Sequence, residues 1–277
     1  MNHLAYYHLE QEPFAVMPLT QFYFHSEQHD QAFVRLKRVA EGMKGLGVCV
    51  GNVGTGKSLL ARRLLESLPD DAYEVALLVV LHGDVDSAWL VRRIAAQFGV
   101  EVGTQSKVEI ISELYRKLEA IATSGKRAVI LLDEAHMLRG QDLLEEIRGL
   151  LNLELPDRKL LSLILFGLPE LDDVLSRDAA LAHRTAVRCS LKPFPPEVVA
   201  DYVRFRIEHA GSNEEVFSDE ALERVARYSS GNPRVMNVIC DNALFEGFVR
   251  RASLPLPADI IESVAEDLRL RLDSSQR

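Results

Sequence analysis

Cysteine is scarce in this 277-residue sequence, which holds Cys49, Cys189 and Cys240 and no others. Each lies in an apolar stretch and no pair has metal-ligand spacing. That spacing offers no cysteine metal motif, and small buried hydrophobes in a reducing cytoplasm are expected. Long apolar runs are also missing. The longest, Leu160 to Pro169, is too short to span a bilayer. The N-terminus has no basic region followed by an apolar core, so no signal peptide is expected. Basic charge is not in excess either: the formal net charge is −9, with −4 over residues 1–192 and −5 over 193–277. No domain-wide field favours nucleic acid, which leaves only local basic patches to consider. Internal repeats and low-complexity segments are absent. A hydrophobic content of 47% and a charged content of 26% are ordinary for a globular chain with a sizeable core. The chain as given is expected to be soluble and cytoplasmic.

What is present is an alternation of short apolar runs with amphipathic stretches. The runs are Leu46–Val50, Val75–Leu81, Ala128–Leu132, Leu161–Phe166 and Ala186–Leu191. Several are nearly continuous in hydrophobics, the mark of parallel strands covered on both faces. Residues 58–68, 87–98, 107–123 and 141–153 carry helical periodicity between them. Five strands alternating with helices predict a three-layer α/β/α sandwich around a five-stranded parallel sheet. After Phe194-Pro195-Pro196 the strand pattern stops, and residues 196–210, 218–229, 233–250 and 257–272 read as helices. The expected division is an α/β domain over 1–194 and a helical subdomain over 195–277.

Residues 51–58 read Gly51-Asn52-Val53-Gly54-Thr55-Gly56-Lys57-Ser58, the full G-x-x-x-x-G-K-S pattern, placed after an apolar run and before an amphipathic helix. Glycines let the backbone wrap phosphates with its N–H groups inward, and the helix N-terminus, running on into Leu59, adds a positive dipole end. Lys57 can bridge the β- and γ-phosphates, and the Ser58 hydroxyl can coordinate Mg²⁺. The second half of the site follows 76 residues after Lys57, where an apolar strand ends in Asp133-Glu134-Ala135-His136. Asp133 suits Mg²⁺, and Glu134 suits the orientation of an attacking water. His136 reads equally as a phosphate-relay contact or as a plain helix-start residue. A further strand, 75–81, lies in the gap between the motifs. It predicts that the two motif strands are not adjacent, as in the additional-strand ATPases. No Asn-Lys-x-Asp motif is present, which favours adenine over guanine.

At this point the sequence resembles the AAA+ ATPases of the general secretion pathway protein A, or ExeA, type and their transposition-associated relatives. The resemblance runs through Tyr6-Tyr7, Pro13-Phe14, Phe24–His29, the phosphate loop, Leu132–His136, Asn152-Leu153-Glu154, Phe166–Leu171 and Gly231–Asn237. It implies an ATP- and Mg²⁺-dependent ATPase with a helical lid, assembling with itself as a ring or filament and acting on a protein partner of secretion or pilus machinery in the envelope. It also implies an arginine finger at Arg184, with Arg188 as the runner-up, and a lid arginine, sensor 2, at Arg234. Two departures stand out. Relatives usually carry a polar residue, often Gln, where Leu168 ends the fourth strand as sensor 1, so slow turnover is expected. Secretion members continue into a transmembrane helix and a peptidoglycan-binding region that this sequence does not contain, which fits either a trimmed piece or a stand-alone relative. Two alternative functions remain open: a DNA-associated regulator of transposition and a slow nucleotide-gated scaffold. Arg35-Leu36-Lys37-Arg38, Arg62-Arg63 and Arg92-Arg93 would form the basic stripe that DNA needs, although such pairs are mostly solvated helix faces.

Overall fold

The computed structural model describes residues 2–15 and 17–271 and divides them into two units. The first is the α/β unit, His25–Val53 and Lys57–Leu191. The five strands of its main sheet are β1 (Leu46–Gly51), β2 (Tyr73–Val79), β3 (Arg127–Asp133), β4 (Leu161–Gly167) and β5 (Thr185–Leu191). They pair in parallel in the order β2-β3-β4-β1-β5. β1 and β4 are buried along their whole length, which is why their sequences are apolar without alternation. At the edge, β2 alternates instead and stops at Val79, two residues before the expected end. Leu81 beyond it is 81% exposed.

The motif strands β1 and β3 are indeed not adjacent. The strand between them is β4, and β2, which separates the motifs in sequence, pairs on the outer side of β3. Helices α1 (Glu27–Glu41), α2 (Lys57–Glu66), α3 (Ser87–Gln97), α4 (Lys107–Thr123) and α5 (Gln141–Leu150) cover the sheet. Their apolar stripes face it: Leu60, Leu64, Leu90, Ile94, Ile110, Leu114, Leu143 and Ile147 are all buried. Helix α4 starts in a capping box, with Ser106 receiving the Glu109 N–H and the Glu109 carboxylate receiving the Ser106 N–H.

The second unit is helical and groups residues 2–15 and 17–24 with Gly54–Gly56 and Lys192 onward. Its longer helices are Pro196–His209, Asp219–Ser229, Pro233–Arg250 and Ala258–Asp267. The last ends at Asp267 rather than at 272, a position outside the described residues. The expected boundary after residue 194 needs one correction, since residues up to Phe24 pack with the helices and not with the sheet. Tyr7, Phe14 and Phe22 are buried there among Val199, Tyr202, Met236 and Leu244. The Tyr7 hydroxyl donates to the Leu244 carbonyl at 2.8 Å. Arg206, 4% exposed, donates through Nε to the Pro13 carbonyl at 2.6 Å and lies 4.5 Å over the Phe22 ring. A buried guanidinium is tolerable only when it is hydrogen-bonded in this way, so it fastens the N-terminal segment to the helices.

Candidate nucleotide site

The chain leaves β1 at Gly51 and enters α2 at Lys57, so the loop between them lies at the C-terminal edge of a parallel sheet. That edge is where α/β sheets bind ligands. Gly54 and Gly56 have φ of +84° and +97°, a conformation in which any side chain would be strained. The Lys57 ammonium does not extend into solvent. It is 6% exposed and donates to the carbonyls of Gly51 at 2.7 Å and Asn52 at 2.9 Å, which holds its charge inside the loop. Asn52 and Val53 are exposed, Thr55 is buried, and Ser58 and Leu59 are half-buried in the first turn of α2.

β3 brings Asp133 to the same edge, where its carboxylate is 6% exposed and accepts the Glu134 N–H at 2.9 Å. Glu134 has φ of +56°, a left-handed conformation unusual for a residue with a side chain. It turns the chain off the strand into a 3-10 turn, Ala135–Met137, and leaves the Glu134 side chain 42% exposed. The fourth strand joins them: Val50 pairs with Gly167, so Leu168 follows at the level of Gly51, half-buried and apolar.

The donor set fits a magnesium nucleotide. Ser58 and Asp133 would offer hard oxygen donors, and among the described residues no cluster of three His, Cys, Asp or Glu side chains could hold a metal alone. Two protein oxygens with the remaining positions left to phosphates and water is the usual arrangement for Mg²⁺. The three cysteines are free and buried, and burial pushes the Cys49 and Cys240 thiols far above their ordinary value. Burial raises the Cys189 thiol as well, which disfavours the thiolate form at all three positions.

The expected arginines separate. Arg184 lies at the start of β5, and Thr185 pairs with Leu46 at the start of β1. It donates to the carbonyl of Arg148 at 3.2 Å and to Asn152 Oδ1 at 2.6 Å. Five strand residues then separate it from Gly51, roughly 17 Å at strand rise, which is more than an arginine side chain spans. Arg188, midway along β5, is paired with Asp172 at 2.6 Å. In the helical unit Arg234 opens the helix Pro233–Arg250 and is exposed. Its backbone N–H is shared between Asn232 Oδ1 at 3.0 Å and the Gly54 carbonyl at 3.3 Å. Of the basic pairs, Arg92 is tied to the carbonyls of Gly103 and Gln105 at 3.0 and 2.6 Å, and Lys37 pairs with Glu41.

Residues 40–175 match the family described as "AAA domain". Over 259 residues the chain is 34% identical to the general secretion pathway protein A of Aeromonas hydrophila, covering 92% of this chain and 46% of that protein. The chain thus spans about half the length of this curated relative. Among solved structures it is similar to the ORC2 protein of Aeropyrum pernix in ADPNP–ADP complexes, with a TM-score of 0.66, 16% identity, and 89% and 71% of the two chains covered. The ORC1 protein of the same organism in complex with DNA matches with a TM-score of 0.66, 19% identity, and 91% and 69% covered. These two likenesses show the fold alone. Nothing in these matches bears on the transposition side of the expected resemblance. No helix among the described residues is long and apolar enough to cross a membrane.

Proposed function

We propose, from the premise that this chain carries an AAA+ ATPase domain related to the secretion-pathway ATPases, that it couples ATP hydrolysis to assembly with copies of itself and to remodelling of a protein partner in envelope machinery. The observation that carries the assembly half is the place of Arg184, at the opposite edge of the sheet from its own phosphate loop. A guanidinium there serves a nucleotide only if that nucleotide belongs to a neighbouring chain, the arrangement of an arginine finger in trans. Within one chain the loop N–H groups and Lys57 would hold the phosphates, Ser58 and Asp133 would hold the metal, and Glu134 would orient water. Arg234 is assigned to the γ-phosphate as the lid arginine. When bound, Mg²⁺ neutralises charge on the phosphate oxygens.

Lys57→Ala should weaken ATP binding about a hundredfold, the size expected when a charge-assisted phosphate contact is lost. ATP-dependent growth of the assembly in sedimentation should then need about a hundredfold more ATP. Unchanged calorimetric affinity in this variant would remove the phosphate-loop assignment.

Leu168 bears on rate. Phosphoryl transfer draws its catalysis from preorganised positioning, and a leucine beside Gly167 offers neither donor nor acceptor to a water or phosphate. Turnover is therefore expected to be slow, below about one per minute, against roughly 1–100 per second for kinases. Leu168→Gln should raise it at least several-fold while changing ATP affinity little. Fast wild-type turnover that the substitution leaves unchanged would show that no catalytic gap exists at this strand end.

A further inference from the structure

We propose that His136 is a positioning residue for Glu134, its ring Nδ1–H holding the Glu134 carboxylate in one orientation; this rests on the ATPase reading above. His136 is 8% exposed, and its Nδ1 is buried with no hydrogen-bond partner. A buried polar atom left so costs on the order of 1–3 kcal/mol, so an orphan of this kind calls for an explanation. The polar atom beside it is Glu134 Oε2, 3.4 Å away, close enough for a small rotation of the exposed carboxylate to complete the bond. An ionised carboxylate only accepts, so the ring nitrogen facing it must carry the proton.

The backbone explains why two residues so close in sequence face one another. In a helix, side chains two positions apart point to different sides, and in a strand they stand about two residue rises apart. Here Glu134 sits in the left-handed region at φ +56° and the 3-10 turn Ala135–Met137 follows at once, which folds position 136 back toward position 134. The turn is packed in place as well. A Cβ on Gly167 would lie 3.0 Å from the His136 nitrogen, so the end of β4 and this turn meet backbone to backbone. A side chain on so fixed a turn is suited to fixing another. With Leu168 apolar, Glu134 has no polar side chain from the end of β4 to orient it, and His136 supplies the restraint from the turn that follows β3.

Two measurements on the full chain test the pairing. In nitrogen NMR of the histidine side chains without nucleotide, with His136 assigned by its loss in His136→Asn, the ring should be in the Nδ1–H form. Glu134→Ala should move it away from that form. In kinetics, His136→Leu should lower kcat about tenfold, within the range seen when a group that orients a catalytic residue is lost. His136→Asn, whose amide can donate from near the Nδ1 position, should recover most of it, and ATP affinity should stay within about twofold throughout. An Nε2–H ring indifferent to Glu134→Ala would overturn the proposal. So would Leu and Asn variants of equal activity with ATP affinity intact. If the Leu variant does not fold, the tautomer of the wild-type ring still decides. A wild-type chain that binds ATP without hydrolysing it would contradict the ATPase reading, while the NMR would still decide the pairing.

Discussion

Chains carrying Arg184→Ala should hydrolyse ATP about a thousandfold more slowly than wild type, at the lower end of the effect of an arginine finger, and should bind ATP as tightly as before. The two halves of this expectation have separate causes. Arg184 stands beside Thr185, which pairs with Leu46 at the start of β1, so it makes no contribution to its own chain's phosphate loop. Its present partners, the Arg148 carbonyl and Asn152 Oδ1, are neutral acceptors on an exposed surface. Leaving them costs little, because solvent replaces such bonds. The guanidinium is thus held pointing along a surface by groups it can exchange for a phosphate, which is the better match to its geometry. Arg188 differs in having a carboxylate partner, Asp172 at 2.6 Å, so Arg188→Ala should change turnover far less. Equal losses in the two variants would mean that β5 as a whole, and not the finger, is being disturbed.

Glu134→Gln should lower turnover by about two to four orders of magnitude, the usual worth of a general base, while ATP binding survives and the ATP-bound assembly accumulates. The substitution keeps the size of the side chain and so leaves the left-handed turn at φ +56° intact. What it removes is the charge that polarises water. Asp133, the carboxylate assigned to the metal in the proposed function, is buried and keeps its hydrogen bond from the backbone N–H of residue 134 whichever side chain stands there. A variant that loses ATP binding along with turnover would show that Glu134 is part of the binding site rather than of the chemical step.

The sequence made the site far more legible than the packing around it. The phosphate loop and the Asp133-Glu134 pair are local signals, because their spacing is dictated by a single strand end and a single turn. The five strands were legible for a similar reason: burial on both faces removes polar residues from a run. Strand order was only partly so. Non-adjacency of the motif strands agrees with the sheet, while the identity of the strand between them, β4, depends on crossovers that no local pattern specifies. The expected α/β domain over 1–194 takes in the N-terminal segment, yet Tyr7 bonds to Leu244 and Arg206 to Pro13, contacts some two hundred residues apart that leave no periodic trace. The same holds for His136, whose meeting with Glu134 depends on a left-handed residue that nothing in the letters Asp-Glu-Ala-His announces.

The claim at the centre of this account is that one chain's phosphate loop and another chain's Arg184 make a single active site, and mixing two inactive variants tests it most directly. Lys57→Ala chains keep an intact Arg184 but lack the loop cation, and Arg184→Ala chains keep the loop but lack the finger. Mixed under conditions where co-assembly is demonstrated by sedimentation, some neighbours pair an intact loop with an intact finger, and ATP hydrolysis should reappear at a level set by the mixing ratio. Mixtures that co-assemble and stay as inactive as either variant alone would contradict the account.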